Sequence, residues 1–332
     1  MTPMRWSAAL LVALLGFGFA AWRSGDRPPL DEVTIAEART GLALDSRRVS
    51  TGEIELHVVL AGPEQGPPVL LLHGFPELWY SWHGVMRELV KHGYRVIAPD
   101  LRGYNRSDKP PGRASYSGDA FARDVLGLLD ALGIEQAFVA GHDVGAGIAW
   151  TLVFAHPERI RRAVILSSPH PFAWERATPQ DDENSISWFR TFFKLPFLPE
   201  LVARAGGWWL LTRNLQRTSR PGVFGGETLA VFQSAWARDN AISSMINVYR
   251  SGFRREPLPE DGQPPVPVLY VFGGRDAYMP RAASEITAEL LGQDAVVELP
   301  EASHWLLLEE PERIGQLMIA FFGKDAAQPP EF

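Results

Sequence analysis

From about residue 47 the chain repeats one pattern, a short apolar run followed by a longer stretch with helical spacing. The runs are IELHVVL (54–60), VLLL (69–72), RVIAP (95–99), AFVAG (137–141), AVILSS (163–168), VLYVFGG (268–274) and AVVELP (295–300). Bounded by turn-forming residues, they read as strands. Between them, Ser117 to Leu132 sets Phe121, Val125, Leu128, Leu129 and Leu132 on one face, and Gly133 stops the helix. Strand and helix in alternation predict an α/β chain with a mainly parallel central sheet and helices on both faces. The alternation lapses between residues 170 and 262. That stretch is crowded with rings instead, among them Trp174, Trp188, Phe192, Phe193, Trp208, Trp209 and Trp236, and reads as an inserted helical cap. There is no internal repeat and no low-complexity tract.

The first residues follow a different rule. WSAALLVALLGFGFAAW, residues 6 to 22, carries no charge and follows Arg5 and the α-amino group. A positive start before an apolar run predicts a membrane anchor whose Arg5 side stays in the cytoplasm, with the remaining chain across the membrane. Its 17 residues stand at the lower limit for a span, which takes about 20. Gly18-Phe19-Ala20 also offers a cleavage site, and cleavage there would release a secreted or periplasmic protein. The expected layout is thus an anchor or signal segment with linker (1–34), a first core part (35–169), the cap (170–262) and a second core part (263–325).

Composition narrows the function classes. Over 332 residues, 46% are hydrophobic and 21% charged, ordinary values for a folded chain, so disorder and a polytopic membrane protein are excluded. The net charge of −7 provides no basic field, and no nucleic-acid partner is expected. With no cysteine, there is no thiolate nucleophile and no disulfide or zinc–thiolate site. No metal motif such as HExxH occurs, and neither a metal nor a cofactor is expected. Chemistry must come from histidines, carboxylates, hydroxyls and backbone.

Gly141-His142-Asp143-Val144-Gly145-Ala146 joins the run AFVAG to the helix-like IAWTLVFA. A strand, a tight turn flanked by small residues and a helix form the setting of a nucleophile elbow, in which larger flanking side chains would collide. The alternative for Asp143 is a plain helix cap. As nucleophile, Asp stands where an esterase has Ser. A carboxylate ionised at neutral pH needs no base for its first attack. Attack on an ester carbonyl would give a high-energy anhydride, whereas attack on a saturated carbon with a leaving group gives an ordinary ester. The substrate is therefore an sp3 electrophile, and only hydrolysis of the ester needs a general base. His304, in the loop after the last run, suits that role, and Asp276, after VLYVF, would orient it. The order 143, 276, 304 is the one an elbow architecture expects. Backbone N–H groups of Phe75, after His73-Gly74, and of Val144 can converge on the oxyanion. His73 itself reads as a loop-holding residue.

HGFPELWYSW (73–82), DLRGYNRSDKP (100–110), GHDVGAGIAW (141–150), INVYR (246–250), GGRDAYMP (273–280) and EASHWLLLEEPERI (301–314) together resemble the epoxide hydrolases of the α/β-hydrolase superfamily. The resemblance runs from about residue 50 to 322. The apolar N-terminus and FFKLPFLPE (192–200) look most like its membrane-anchored branch. It implies the α/β-hydrolase fold, no cofactor, and a small lipophilic epoxide and water as reactants, with Asp143, Asp276 and His304 catalytic. In such enzymes cap tyrosines hydrogen-bond the epoxide oxygen. Tyr249 matches one of them, and the position of the other falls at Phe189, which has no hydroxyl. Trp79, Phe189, Tyr249 and Trp305 are expected to contact substrate. A second departure is Asn105, where the family has Gly; Asn tolerates positive φ, so the turn should persist. The alternatives are a haloalkane or haloacid dehalogenase with the same Asp, Asp and His, and a non-catalytic ligand-binding homologue. Against the first, Val144, Phe75 and Gly147 replace the halide- and carboxylate-gripping residues of those enzymes.

Overall fold

The seven apolar runs fold as seven strands of one sheet, and an eighth strand, which the pattern misses, lies at its edge. The computed structural model describes residues 30–177, 188–251 and 262–323. The strands are β1 (Asp45–Ser50), β2 (Glu55–Ala61), β3 (Pro68–Leu72), β4 (Arg95–Pro99), β5 (Ala137–His142), β6 (Ile160–Leu166), β7 (Val268–Gly273) and β8 (Val296–Leu299). Their order across the sheet is β1-β2-β4-β3-β5-β6-β7-β8. β2 runs antiparallel to both β1 and β4, and the other pairings are parallel. This is the mainly parallel sheet of an α/β-hydrolase fold.

The reason lies in the side chains. β5 and β7 are buried along their whole length, as strands covered by helices on both faces must be. β1 reads DSRRVS and is almost wholly exposed, so it carries no apolar signal. Charged residues suit an edge strand because they discourage pairing with another chain. β1 exists because β2 offers it a ladder, with Arg48 opposite His57 and Val49 opposite Leu56.

Parallel strands send all their following loops to one edge of the sheet. The segments after β3, β4, β5, β7 and β8 therefore converge, and these hold His73, Asp100, Asp143, Asp276 and His304. Between β6 and β7 the described residues form helices Pro171–Ala177, Trp188–Phe193, Leu198–Thr218, Gly226–Trp236 and Ala241–Ser251. Leu198–Thr218 is broken at Ala205–Trp208, where Gly206, Gly207 and Trp208 all take positive φ. Buried Trp208 meets Trp236 there at 6.0 Å. Trp236 in turn donates its indole N–H to Pro76 O at 2.7 Å, fastening these helices to the loop after β3.

A helix not expected from the pattern, Glu32–Thr40, begins inside what reads as linker. It rests on helix Gly226–Trp236: Leu30 N–H donates to Ser234 Oγ at 2.8 Å, and Arg39 meets Glu227 and Thr228. The anchor expected over residues 6–22 lies outside the described residues. Among those described, no helix is long and apolar enough to cross a membrane. The expectation of a single-pass membrane protein with a signal anchor, of a membrane partner, and of the membrane-anchored branch is corrected accordingly.

Candidate active site

Asp143 occupies the turn between β5 and helix Val144–Ala155 with φ 49° and ψ −111°, a conformation that side chains seldom adopt. Its flanking glycines make the turn possible. A Cβ on Gly141 would stand 2.3 Å from Gly145 O, and one on Gly145 would stand 2.1 Å from Leu72 O. The turn thus presents the carboxylate to the loop after β3. There Phe75 N–H donates to Asp143 Oδ1 at 2.9 Å. Val144 heads the following helix, whose first-turn N–H groups have no partner within the helix. The second oxygen, Oδ2, is turned toward His304 Nε2, 3.7 Å away.

His304 is buried and held from both ends. Its Nδ1–H donates to Asp276 Oδ2 at 2.8 Å, which leaves the lone pair on Nε2, facing Asp143. Asp276 Oδ1 accepts from the backbone N–H groups of Tyr278 and Met279, at 2.8 and 3.1 Å, so the carboxylate cannot swing away. The backbone carbonyl of His304 accepts from His142 Nε2–H at 2.8 Å and from Ser167 Oγ at 3.3 Å. The structure therefore brings Asp143, Asp276 and His304 together from three separate loops.

Beneath this group lies a pair that the sequence pattern did not single out. Glu77 Oε2 accepts from His142 Nδ1–H at 2.7 Å and from Gly74 N–H at 2.7 Å. A carbonyl and a carboxylate can only accept, so both ring nitrogens of His142 carry protons and the ring is an imidazolium. Burial opposes its charge, but the Glu77 carboxylate outweighs burial and pushes His142 up to about 9. Burial likewise opposes the Glu77 charge, while His142 holds that carboxyl below its ordinary range. The only sequence hint was that His142 precedes the nucleophile and Glu77 follows the His73 loop. His73 is the neutral counterpart. Its Nδ1–H donates to Gly74 O at 2.9 Å and its Nε2 accepts from Leu101 N–H at 3.0 Å, with burial holding its pKa down.

Above the carboxylate stand rings. Tyr249 packs edge-on against Phe75 at 5.2 Å and Phe189 at 5.6 Å, and lies 5.2 Å from Phe193. Burial, and then the charge of Asp143, raise the Tyr249 phenol well above its ordinary pKa, so it is a donor at any physiological pH. Tyr278 meets His304 edge-on at 4.8 Å. Trp305 is buried, packs on Phe224 at 5.1 Å and donates its indole N–H to Thr218 Oγ1 at 3.0 Å. Trp79 is fully buried beside Tyr80, its backbone N–H held by Asp100 Oδ1 at 3.1 Å. Asn105 takes φ 35°, and its amide reaches in three directions: Nδ2–H to Asp100 Oδ2 and Glu32 Oε1, and Oδ1 from Arg238 Nε–H. Among the described residues no cluster of His, Cys, Asp and Glu could hold a metal ion.

Chemically, the arrangement offers a carboxylate oxygen turned toward an imidazole nitrogen across a gap, and a backbone donor on the other oxygen of the same carboxylate. Residues 67–311 match the family model described as alpha/beta hydrolase fold. The chain is 35% identical over 274 residues to the AB hydrolase superfamily protein YfhM of Bacillus subtilis, covering 82% of this chain and 96% of that one. It is 33% identical to Epoxide hydrolase 4 of Mus musculus, over 84% of this chain and 79% of that protein. Among solved structures, an epoxide hydrolase mutant of Vigna radiata superposes with a TM-score of 0.73 at 28% identity, covering 85% of this chain and 99% of that chain. Epoxide Hydrolase A from Mycobacterium thermoresistibile gives 0.71 at 26%, covering 84% and 98%.

Proposed function

The chain belongs to the α/β-hydrolase family and stands among its epoxide hydrolases, and from that premise we propose that it converts lipophilic epoxides to vicinal diols through an ester on Asp143. The observation that carries the reading is the division of labour on one carboxylate: Oδ1 is held by Phe75 N–H while Oδ2 is left unbonded at 3.7 Å from His304 Nε2. Oδ2 attacks a ring carbon, the C–O bond of the oxirane breaks, and Tyr249 donates to the oxygen as it gains charge. The space between Asp143 and His304 then admits water. His304 Nε2 takes a proton from it, the hydroxide adds to Cγ of Asp143, and negative charge builds on Oδ1, where the N–H groups of Phe75 and Val144 receive it. Collapse frees the diol, and the proton on His304 balances the one given to the alkoxide. Asp276 keeps the imidazole oriented and stabilises its charged form.

The helices between β6 and β7 act as the cap in this reading, and their rings exclude water and receive the apolar part of the substrate. Phe189 contributes surface rather than a hydrogen bond to it, with Trp79 and Trp305 buried in the packing. Intact-protein mass spectrometry tests the scheme. His304→Ala should form the ester and fail to release it, so an adduct with the mass of enzyme plus whole epoxide should accumulate. A haloalkane adduct, lighter by hydrogen halide, with no epoxide adduct would make the protein a dehalogenase. In the wild type, a single turnover in oxygen-18 water should label Asp143 and leave the first diol unlabelled; label in the diol alone would exclude the ester.

A further inference from the structure

Asp276 holds His304 at one ring atom, and a single hydrogen bond leaves an imidazole free to tilt about it. Two neighbouring rings limit that tilt. Tyr278 stands edge-on to His304 at 4.8 Å and Trp305 edge-on at 5.1 Å, while the two lie 6.0 Å from each other, so the three rings form a triangle. The polar tips of the outer two meet at one hydroxyl. Thr218, the last residue of helix Leu198–Thr218, gives its only proton to Asn214 O at 2.8 Å, so its Oγ1 accepts from Trp305 Nε1–H at 3.0 Å and from Tyr278 O–H at 3.2 Å. The Tyr278 oxygen in turn accepts from Asn214 Nδ2–H at 2.5 Å, which closes a ring of hydrogen bonds that begins and ends on Asn214. Just beyond the helix, the chain reaches the residue before His304 as well. Arg220 donates through N–H at 2.7 Å and Nε–H at 3.2 Å to Glu309, whose side chain is fully buried, and Ser303 donates to the same carboxylate through N–H at 2.8 Å and Oγ–H at 2.6 Å. An inserted helix is thereby joined to both chain neighbours of the base, Ser303 and Trp305, and to the loop that carries Asp276.

We propose that Thr218 is a positioning residue for the general base: its hydroxyl fixes the Tyr278 and Trp305 rings, these hold the plane of the His304 imidazole, and Nε2 stays aimed across the gap to Asp143. The proposal rests on the reading above, in which His304 activates water to hydrolyse the ester. Its consequence is a division between the two steps. Ester formation uses Oδ2 of Asp143 and needs no base, whereas hydrolysis passes a proton from water to Nε2 as the water oxygen bonds to Cγ. Only the second step depends on the aim of the imidazole. The inserted helices thus do more than enclose the substrate, since one of them governs how fast the ester is released.

Ester formation and ester hydrolysis are timed separately, by mass spectrometry of quenched single turnovers with styrene oxide, for the wild type, Thr218→Val, Thr218→Ser, Tyr278→Phe and Thr212→Val. Thr212 stands in the same helix and accepts from Gln233 of the next one at 3.0 Å, so its variant controls for loosening of the helices alone. Thr218→Val keeps the shape and loses the hydroxyl. It should slow hydrolysis roughly tenfold, since a misplacement of about 1 Å costs about a hundredfold, and leave ester formation within about twofold, so that ester builds up. Thr218→Ser should hydrolyse at close to the wild-type rate. Tyr278→Phe, which removes one tie and keeps the ring, should slow hydrolysis about threefold, and it decides the matter if Thr218→Val does not fold. Thr212→Val should leave both steps near wild type. Wild-type hydrolysis in Thr218→Val and Tyr278→Phe would overturn the proposal, as would equal slowing of both steps, no recovery in Thr218→Ser, or the same hydrolysis defect in Thr212→Val. An ester that forms on Asp143 neither in the wild type nor in His304→Ala would instead overturn the epoxide-opening reading, and this proposal with it.

Discussion

The sheet side and the helical side of the site are built from different materials. On the sheet side charges hold charges: Asp276 fixes His304, Glu77 fixes His142, and His142 fixes the backbone of His304. On the helical side rings meet rings, with Tyr249, Phe189 and Phe193 within 5.2 to 5.6 Å of one another and no hydrogen bond among them. Hydrogen bonds to charged groups are directional and fix atoms to tenths of an ångström, which reacting atoms require. Ring packing fixes volume and dryness, and many ring arrangements serve equally. The sheet side should therefore punish any change sharply, and the helical side should punish only the loss of a hydroxyl.

The largest break should come from His304→Ala. Removing the base should lower steady-state turnover by roughly 10⁴-fold, the upper end for general-base loss, with little change in unfolding. Turnover within tenfold of wild type would mean that the charged side is not where water is activated.

Next comes Glu77→Gln, which leaves the His142 imidazolium buried without its counter-charge. Breaking such a pair costs about 3–5 kcal/mol, to be read from urea unfolding at pH 6. The wild type adds a pH signature. His142 is raised from 6.5 to about 9, so its contribution is complete below pH 6.5 and is lost as pH rises through 9. Wild-type stability should decline across that window and Glu77→Gln should not. Parallel pH profiles for the two proteins would show that the pair is not ionised as described.

Tyr249→Phe probes the helical side at its phenol. Epoxide opening should fall about a hundredfold while the thermal midpoint stays put. By contrast, Phe193→Leu, a change of ring only, should leave kcat within about threefold, if rings set volume rather than position. Equal losses in the two variants would erase the distinction between the sides.

The smallest effect is expected where the two sides are tied. Asn105→Gly would free Arg238, Glu32 and Asp100 from the side-chain amide while relieving the positive φ at that position. The two changes oppose each other, so stability should fall by about 1 kcal/mol or less, measured by urea unfolding. A larger loss would mean that this amide carries more of the union between helices and sheet than the relieved backbone offsets.

What the sequence determined by itself is whatever depends on a few neighbouring residues. Sterics of the turn require Gly141 and Gly145 around Asp143, burial on both faces makes unbroken apolar runs of the strands, and a parallel sheet sends the loops that carry residues 143, 276 and 304 to one edge. These rules act over a single turn or strand, so they are legible in order along the chain. Tertiary structure alone decided the partners. Glu77 and His142 are separated by 65 positions, and Asn105 and Arg238 by 133. β1 has no apolar signature and owes its existence to the ladder of β2. The broken helix at Ala205–Trp208 forms where Trp208 finds Trp236, and the Tyr104 hydroxyl is known to be unpaired only once every neighbour is in place. A polar side chain's chemistry depends on what desolvates it and what charge stands beside it, and those are properties of the packed molecule.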